Sequence, residues 1–186
     1  MDNFNYLAVL ISIILGLGIT HLLSGFGRCV ESRRSSPAYA PTIVWVITLL
    51  VIHIQTWWTM YGMRHHLNWT FLQFVVVLLQ PITLFLLAAA VLPGPTSAVH
   101  DLNSNYFSQR RWFFVLFIIL LTVSVGRDIV MTGSLPTTTN LLFHALLLII
   151  ATGGVITARE SYHRFIAYIS ALLIAVYIAF LFPKLR

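Results

Sequence analysis

Five ionisable side chains lie inside the long apolar segments of this 186-residue chain: His21, His53, Arg127, Asp128 and His144. Gln80 lies midway along another such segment. Charged and titratable groups are costly at membrane depth, and by default they mark ion paths, substrate paths and proton relays. The chemistry that this set predicts is the passage of a proton, an ion or a small solute along hydrogen-bonding groups.

A connection near Leu135 and Pro136 folds two of these segments into a hairpin. Reflection through this connection puts Arg127 and Asp128 at the depth of His144. An Asp128 carboxylate that accepts a hydrogen bond from His144 would fix the tautomer of the imidazole, as a proton relay near neutral pH requires. In the alternative interpretation, Arg127 and Asp128 reach outward to the membrane surface and His144 is hydrogen-bonded for a structural reason.

Two further histidines lie on other helices. His21 has Gly18 at i−3 and Gly25 at i+4 on its own helix face, so another group can approach the imidazole closely. It is either a relay or ligand-binding residue, or a packed group that bonds to a neighbouring helix. His53 and Gln55 lie about 200° apart around their helix. This spacing predicts that protein contacts that helix on two sides, with His53 in a packing stripe or a site.

Helix rise sets the depth of each group. At 1.5 Å of rise per residue, His144 and His53 lie roughly 7 and 12 Å from the surface that carries the hairpin connection, and His21 lies roughly 22 Å below it. Together with Gln80 they would form a ladder across the bilayer, with the neighbouring arginine and aspartate at its outer mouth. A water or a second side chain would have to bridge each step.

The elements that hold these residues follow from the composition. The chain is 59% hydrophobic and 9% charged, with a mean hydropathy of +0.89, which leaves too few charges for the surface of a soluble domain. A helix needs about 20 apolar residues to cross a bilayer. Six segments reach that length: 6–28, 41–61, 69–92, 112–131, 139–158 and 165–182. The sequence predicts an all-α polytopic membrane protein, with residues 1–186 forming one bundle of six transmembrane helices.

The basic residues predict the orientation of the bundle. Seven arginines lie in the first, third and fifth connections, and four Lys or Arg residues lie on the opposite side. This distribution predicts that both termini lie outside, and we expect a multi-pass protein of the inner (plasma) membrane. The net charge of +6 forms no basic stripe with interleaved aromatic residues, so no nucleic acid partner is expected. The predicted partners are the lipid bilayer and either further copies of the chain, in a homo-oligomer, or the other subunits of a membrane complex.

Two helices carry small residues at a strict spacing of four: Ser12, Gly16, Thr20 and Ser24 in the first, and Ala167, Ala171, Ala175 and Ala179 in the sixth. Ridges of this kind allow helix backbones to approach closely in lipid. The first and sixth helices run antiparallel, so their ridges are predicted to pack on each other. The alternative is that either ridge forms the interface of a homo-oligomer or of a larger membrane complex.

Three function classes stay open. A channel or transporter for a proton, an ion or a small solute is the preferred hypothesis, and a non-catalytic structural or assembly subunit is the first alternative. Six helices with buried histidines also resemble, in architecture alone, b-haem electron carriers of the cytochrome b561 type. That resemblance implies two axial histidines at one depth, whereas His53 and His144 differ in depth by about 5 Å.

No convergent catalytic or metal-ligand motif stands out in the chain, so neither an enzymatic activity nor a bound cofactor or metal is expected. The lone Cys29 cannot form an internal disulfide, and we expect it to be a packed small residue.

Overall fold

Six long helices form one bundle. The computed structural model describes residues 3–31, 39–66, 68–92 and 102–181, and contains no strand among them. The helices are α1 (Asn3–Glu31), α2 (Ala40–Tyr61), α3 (Phe71–Val91), α4 (Leu102–Thr132), α5 (Thr138–Ile156) and α6 (Glu160–Leu181), and a short 3₁₀ turn (Gly62–His65) follows α2. All six are long and apolar enough to cross a membrane. The predicted all-α, six-helix architecture is confirmed.

Local sequence signals explain where several helices begin and end. Thr70 caps α3 through its side chain, which accepts a hydrogen bond from the backbone N–H of Gln73, while the Gln73 side chain accepts one from the backbone of Thr70. This reciprocal capping box satisfies amides that the helix leaves unpaired. At the end of α4, Gly133 adopts a φ of +69°, a left-handed conformation that favours glycine and stops the helix.

The start of α4 differs most from the sequence-based prediction. The helix begins at Leu102 and not at Trp112, and the added turns are amphipathic. Leu102 and Tyr106 are buried, whereas Ser108 and Gln109 are exposed. Hydropathy alone could not detect these turns, because one buried stripe is enough to hold a helix against its neighbours.

α2 has the most helix neighbours. It contacts α1, α3, α4 and α6, while α1 packs on α3, α3 on α4, α4 on α5 and α5 on α6. The expectation that protein contacts α2 on two sides is therefore confirmed. The predicted packing of α1 on α6 is wrong, since these two helices make no contact.

The small-residue ridges explain this difference. α1 buries Leu7, Ile11, Leu15 and Leu22, a stripe of large side chains. The predicted α1 ridge lies beside that stripe and remains outside the bundle: Ser12, Thr20 and Ser24 are exposed, and an added Cβ at Gly16 would meet nothing within 4 Å. In α6, Ala167 is buried, Ala171 is half-buried, and Ala175 and Ala179 are exposed.

The two ends of the bundle have different chemistry. We call the end that carries the α4–α5 connection the α4–α5 end, and the opposite one the α5–α6 end. Trp45 of α2 packs edge-on against three phenylalanines of α4 at ring-centroid distances of 4.9 to 5.7 Å: Phe113, Phe114 and Phe117. This aromatic cluster lies in the interior on the side of the α5–α6 end. The polar groups of the next section lie between it and the α4–α5 end.

Candidate functional site

A cavity of about 60 Å³ lies among five of the six helices. We call it the polar cavity. Its polar lining residues are Gln55, Gln80, Ser124, Arg127, His144 and Tyr177, and its apolar ones are Ile52, Phe117, Leu120, Leu121, Phe143, Leu147, Ile174 and Ile178. Because one water occupies about 10–15 Å³ on this measure, the polar cavity has room for about four waters or one small solute.

The sequence of α4 brings the polar residues into this space. Phe117, Leu121, Ser124 and Arg127 recur at intervals of three or four, so they share one helix face. That face turns from apolar to polar as it approaches the α4–α5 end. Ser124 was not singled out from the sequence, although this spacing relative to Arg127 was a readable signal.

Arg127 is held inside the bundle, with 6% of its surface exposed. Its Nε and Nη2 donate to Oδ1 of Asp128 at 3.1 and 2.6 Å, and its Nη1 donates to Oε1 of Gln80. The Gln80 amide in turn donates to Oγ1 of the fully buried Thr56 at 3.4 Å. The network joins α2, α3 and α4. The alternative in which Arg127 reaches out to the membrane surface is therefore wrong.

These bonds leave part of the guanidinium unused. The group carries five N–H donors, and the bonds described above use one each on Nε, Nη1 and Nη2. One N–H on Nη1 and one on Nη2 form no hydrogen bond with the described residues, and Arg127 lines the polar cavity. Asp128 compensates the charge but does not line the polar cavity. Its second oxygen accepts a hydrogen bond from Nδ2 of Asn140 at 3.5 Å.

His144 lines the polar cavity from α5 and is 6% exposed. Its Nδ1 donates to the carbonyl oxygen of Asn140 at 2.9 Å, so Nε2 carries the lone pair of the neutral ring. Its ring packs edge-on against Tyr177 of α6 at 5.8 Å between centroids. Among the described residues no hydrogen bond joins His144 to Asp128, so that prediction is wrong. The imidazole bonds the carbonyl one turn earlier in its own helix, and Arg127 engages the carboxylate.

Gln55 and Tyr177 complete the polar lining. The Gln55 amide donates to Oγ1 of Thr59 at 2.9 Å, which leaves its Oε1 as an acceptor. The sequence placed Gln55 opposite His53 but did not assign it to a site. Tyr177 was missed because a tyrosine near the end of a membrane helix is also typical of an interfacial anchor.

His53 and His21 lie away from the polar cavity. His53 is fully buried, and its Nδ1 donates to the carbonyl of Leu49 at 2.7 Å. Its Nε2 has no hydrogen-bond partner and lies against Gly18 of α1, where an added Cβ would clash with it. His21 is half-buried, and its Nε2 also lacks a partner. The glycines of α1 do permit close approach, but by His53 at Gly18 and by Leu92 at Gly25.

The predicted ladder thus separates into two groups. Gln80, Arg127 and His144 line one cavity, with Asp128 directly beside it, whereas His53 and His21 face or lie on α1. The aromatic cluster around Trp45 fills the space between the polar cavity and the α5–α6 end.

A second polar centre, which the sequence did not reveal, lies near the α5–α6 end. His163 is fully buried; its Nε2 donates to the carbonyl of Thr157 at 2.8 Å, and its Nδ1 accepts from the hydroxyl of Tyr106 at 2.9 Å. Both ring nitrogens are therefore bonded. His163 was missed because residues 159–164 were interpreted as a loop, although Glu160 and Arg164 form an i,i+4 ion pair at the start of α6.

The described residues contain no group of three His, Cys, Asp or Glu side chains that could hold a metal ion. His144 lines the polar cavity and His53 does not, so the geometry of the polar cavity does not offer this pair as two axial ligands of a b-haem. No protein-family model, no curated protein and no solved structure matches the chain.

Proposed function

We propose that this protein is a small multi-pass transporter or channel, and that the polar cavity is the site through which a proton, an ion or a small solute passes. The observation that carries the proposal is the side chain of Arg127. It is buried in a helix long and apolar enough to cross a membrane, its charge is already compensated by Asp128, and it lines a cavity while two of its N–H groups form no hydrogen bond with the described residues.

Energetics favour a functional role for this network. A buried ion pair is seldom a net gain in stability, because the cost of desolvating the charges offsets their attraction, and apolar residues of similar volume often hold a fold as well or better. Ionisable groups inside a membrane protein are therefore functional hypotheses by default. Here the hypothesis is supported by the cavity and by the unused hydrogen-bonding groups of Arg127, His144 and Gln55.

The apolar barrier favours a transporter over an open channel. Phe117 lies nearly three helical turns from Arg127 along α4, and it packs in the aromatic cluster that occupies the far side of the bundle. A solute in the polar cavity can proceed to the α5–α6 end only if these aromatic side chains move apart. Such a gate is typical of a carrier that exposes one site to each side in turn.

The orientation and the surroundings are part of the same proposal. The arginine distribution supports an orientation with both termini outside, so in the inner (plasma) membrane that we propose the polar cavity would lie nearer the outer surface. The bilayer is the immediate partner.

The exposed α1 ridge favours a second candidate function, a structural or assembly subunit that binds a second copy or another membrane protein through small residues.

The test is solute entry into proteoliposomes. The purified protein would be reconstituted, and the entry of protons, potassium, urea, acetamide and propionate compared with empty vesicles. We expect the wild-type protein to accelerate at least one of them. Leu147→Phe adds volume to the lining of the polar cavity and replaces no residue of the charged network, and we expect it to reduce that flux about tenfold or more. Leu146→Phe is the matched control, because Leu146 is exposed on the same helix. Wild-type flux equal to that of empty vesicles for every solute would contradict the proposal.

A further inference from the structure

We propose that the polar cavity takes a short-chain organic monoanion with a carboxylate head, and that one proton enters with it and binds Nε2 of His144. This inference rests on the proposed function and names the substrate class of the same site.

The lining of the polar cavity is amphipathic. Arg127, Ser124 and His144 supply a polar side, whereas Leu121, Leu147 and several other aliphatic or aromatic side chains supply the rest. A ligand that fits has a polar head and a short apolar tail. Because about 60 Å³ corresponds to about four water positions, the tail is limited to a few carbons, and acetate or propionate has the appropriate size.

The head group is determined by the donors that remain on Arg127. Asp128 binds the Nε and Nη2 side of the guanidinium, and Gln80 binds Nη1. One N–H on Nη1 and one on Nη2 form no hydrogen bond with the described residues, and both belong to one planar group. A carboxylate offers an oxygen to each of two N–H groups, which is the reason that arginine binds carboxylates well. The hydroxyl of Ser124, on the same face of α4, can supply a further donor.

Charge balance requires the proton. Arg127 and Asp128 form a pair at 2.6 Å with no net charge between them. An anion that entered alone would leave one uncompensated negative charge inside the bundle, and burying such a charge is strongly unfavourable. A proton from the solvent that enters with the anion restores neutrality.

His144 is the group that can accept this proton. The titratable or charged groups around it are Arg127 and Asp128 of α4 and Tyr177 of α6. Asp128 is already bonded to Arg127, whereas Nε2 of His144 carries a lone pair. In the loaded state the Nδ1–H bond to Asn140 is retained, Nε2 gains the proton, and the imidazolium faces the carboxylate. The proton leaves to solvent again when the anion leaves.

Other solute classes fit less well. A cation would meet the guanidinium of Arg127, and a large solute exceeds the volume. A neutral amide such as propanamide can accept hydrogen bonds from Arg127, but it offers only one oxygen to the two N–H groups. Propanamide is therefore the closest uncharged probe of the carboxylate preference.

The experiment is calorimetric titration of the purified protein in mild detergent with sodium propionate, and with propanamide in parallel. Titrations in buffers of different ionisation enthalpy report how many protons the complex takes up. We expect uptake of about one proton per propionate, and an affinity that falls about tenfold for each pH unit over which the imidazole is neutral before binding. Propanamide should bind at least tenfold more weakly than propionate at low pH, with no proton uptake.

Two variants and one control sharpen the titration. His144→Gln should abolish the proton uptake and weaken propionate binding about tenfold or more. His21→Gln is the matched control, because His21 does not line the polar cavity, and it should titrate as the wild type does. Leu147→Phe should abolish propionate binding while the Arg127 network stays intact, which separates loss of the site from loss of the fold.

Each contrary result has a distinct meaning. Propionate binding without proton uptake, or equal binding of propanamide, would overturn the assignment of the substrate class. Absence of propionate binding would overturn it as well, and if another solute still enters proteoliposomes the proposed function stands. Absence of both binding and flux would overturn the two proposals together.

Discussion

The two ends of the bundle each bury a polar centre, but the two centres differ in how many of their hydrogen-bonding groups are used. At the α5–α6 end, His163 uses both ring nitrogens, one with Tyr106 and one with the backbone of Thr157, and aromatic rings surround it. At the α4–α5 end, Arg127 and His144 also have firm partners, yet both keep hydrogen-bonding capacity beside a cavity.

This difference separates a polar group that holds the fold from one that is positioned for a ligand. A fully satisfied polar network rigidifies a core and offers nothing to an incoming molecule. A network with unused donors and acceptors is expensive to leave unfilled at membrane depth, unless water or a solute occupies it. His144 and His163 are both buried histidines, so burial alone does not separate them, whereas their hydrogen bonds do.

The largest expected effect comes from breaking the charged network. We expect Arg127→Leu to lower the free energy of unfolding in detergent by up to about 3 kcal/mol, because the half-buried carboxylate of Asp128 loses its partner. Solute flux should be lost as well. The measurement is denaturant unfolding of the purified protein together with the proteoliposome assay.

A double variant separates these two consequences. Arg127→Leu with Asp128→Leu removes both charges, so we expect it to recover about half or more of the lost stability while flux stays absent. If the double variant recovers flux together with stability, Arg127 is a structural residue and the comparison between the two ends fails.

A smaller effect is expected at the α5–α6 end. Tyr106→Phe removes the donor to Nδ1 of His163 and should cost about 1–3 kcal/mol of unfolding free energy, because a buried acceptor is left unpaired. Flux per folded protein should not change. A loss of flux at unchanged stability would show that the Tyr106 and His163 pair belongs to the pathway.

The smallest effect is expected on the outer face of α1. Gly16→Ala should leave the unfolding free energy unchanged or raise it by up to about 1 kcal/mol, because nothing lies within 4 Å of the added Cβ and alanine favours a helix over glycine. The unfolding free energy of this variant is the reference with which the variants at both ends are compared. If size-exclusion chromatography shows that this substitution changes the oligomeric state, the α1 ridge is an interface and the assembly function gains support.

The sequence predicted the elements better than their contacts. Hydropathy located six helices because each needs a long apolar run, but it missed the first turns of α4, whose stability depends on one buried stripe that includes Leu102 and Tyr106. The spacing of small residues in α1 and α6 did not predict which helix each of them contacts. The large side chains of α1 determine its packing instead.

The candidate site was predictable in part for the same reason. The free-energy cost of placing polar or charged side chains inside a membrane singled out Gln80, Arg127 and His144, and these three do line one cavity. The direction in which a side chain points around its helix depends on neighbours far along the chain, so the same argument wrongly grouped His53 with them. It also could not tell that His144 would bond its own helix backbone and not Asp128.

The most direct test compares one substitution at the two ends. His144→Gln and His163→Gln would be reconstituted in parallel, and the flux of the transported solute measured per folded protein. We expect His144→Gln to reduce flux about tenfold or more with little change in stability, and His163→Gln to retain flux while its unfolding midpoint falls. Retained flux in His144→Gln, with flux lost in a folded His163→Gln protein, would contradict the assignment of the α4–α5 end as the functional site.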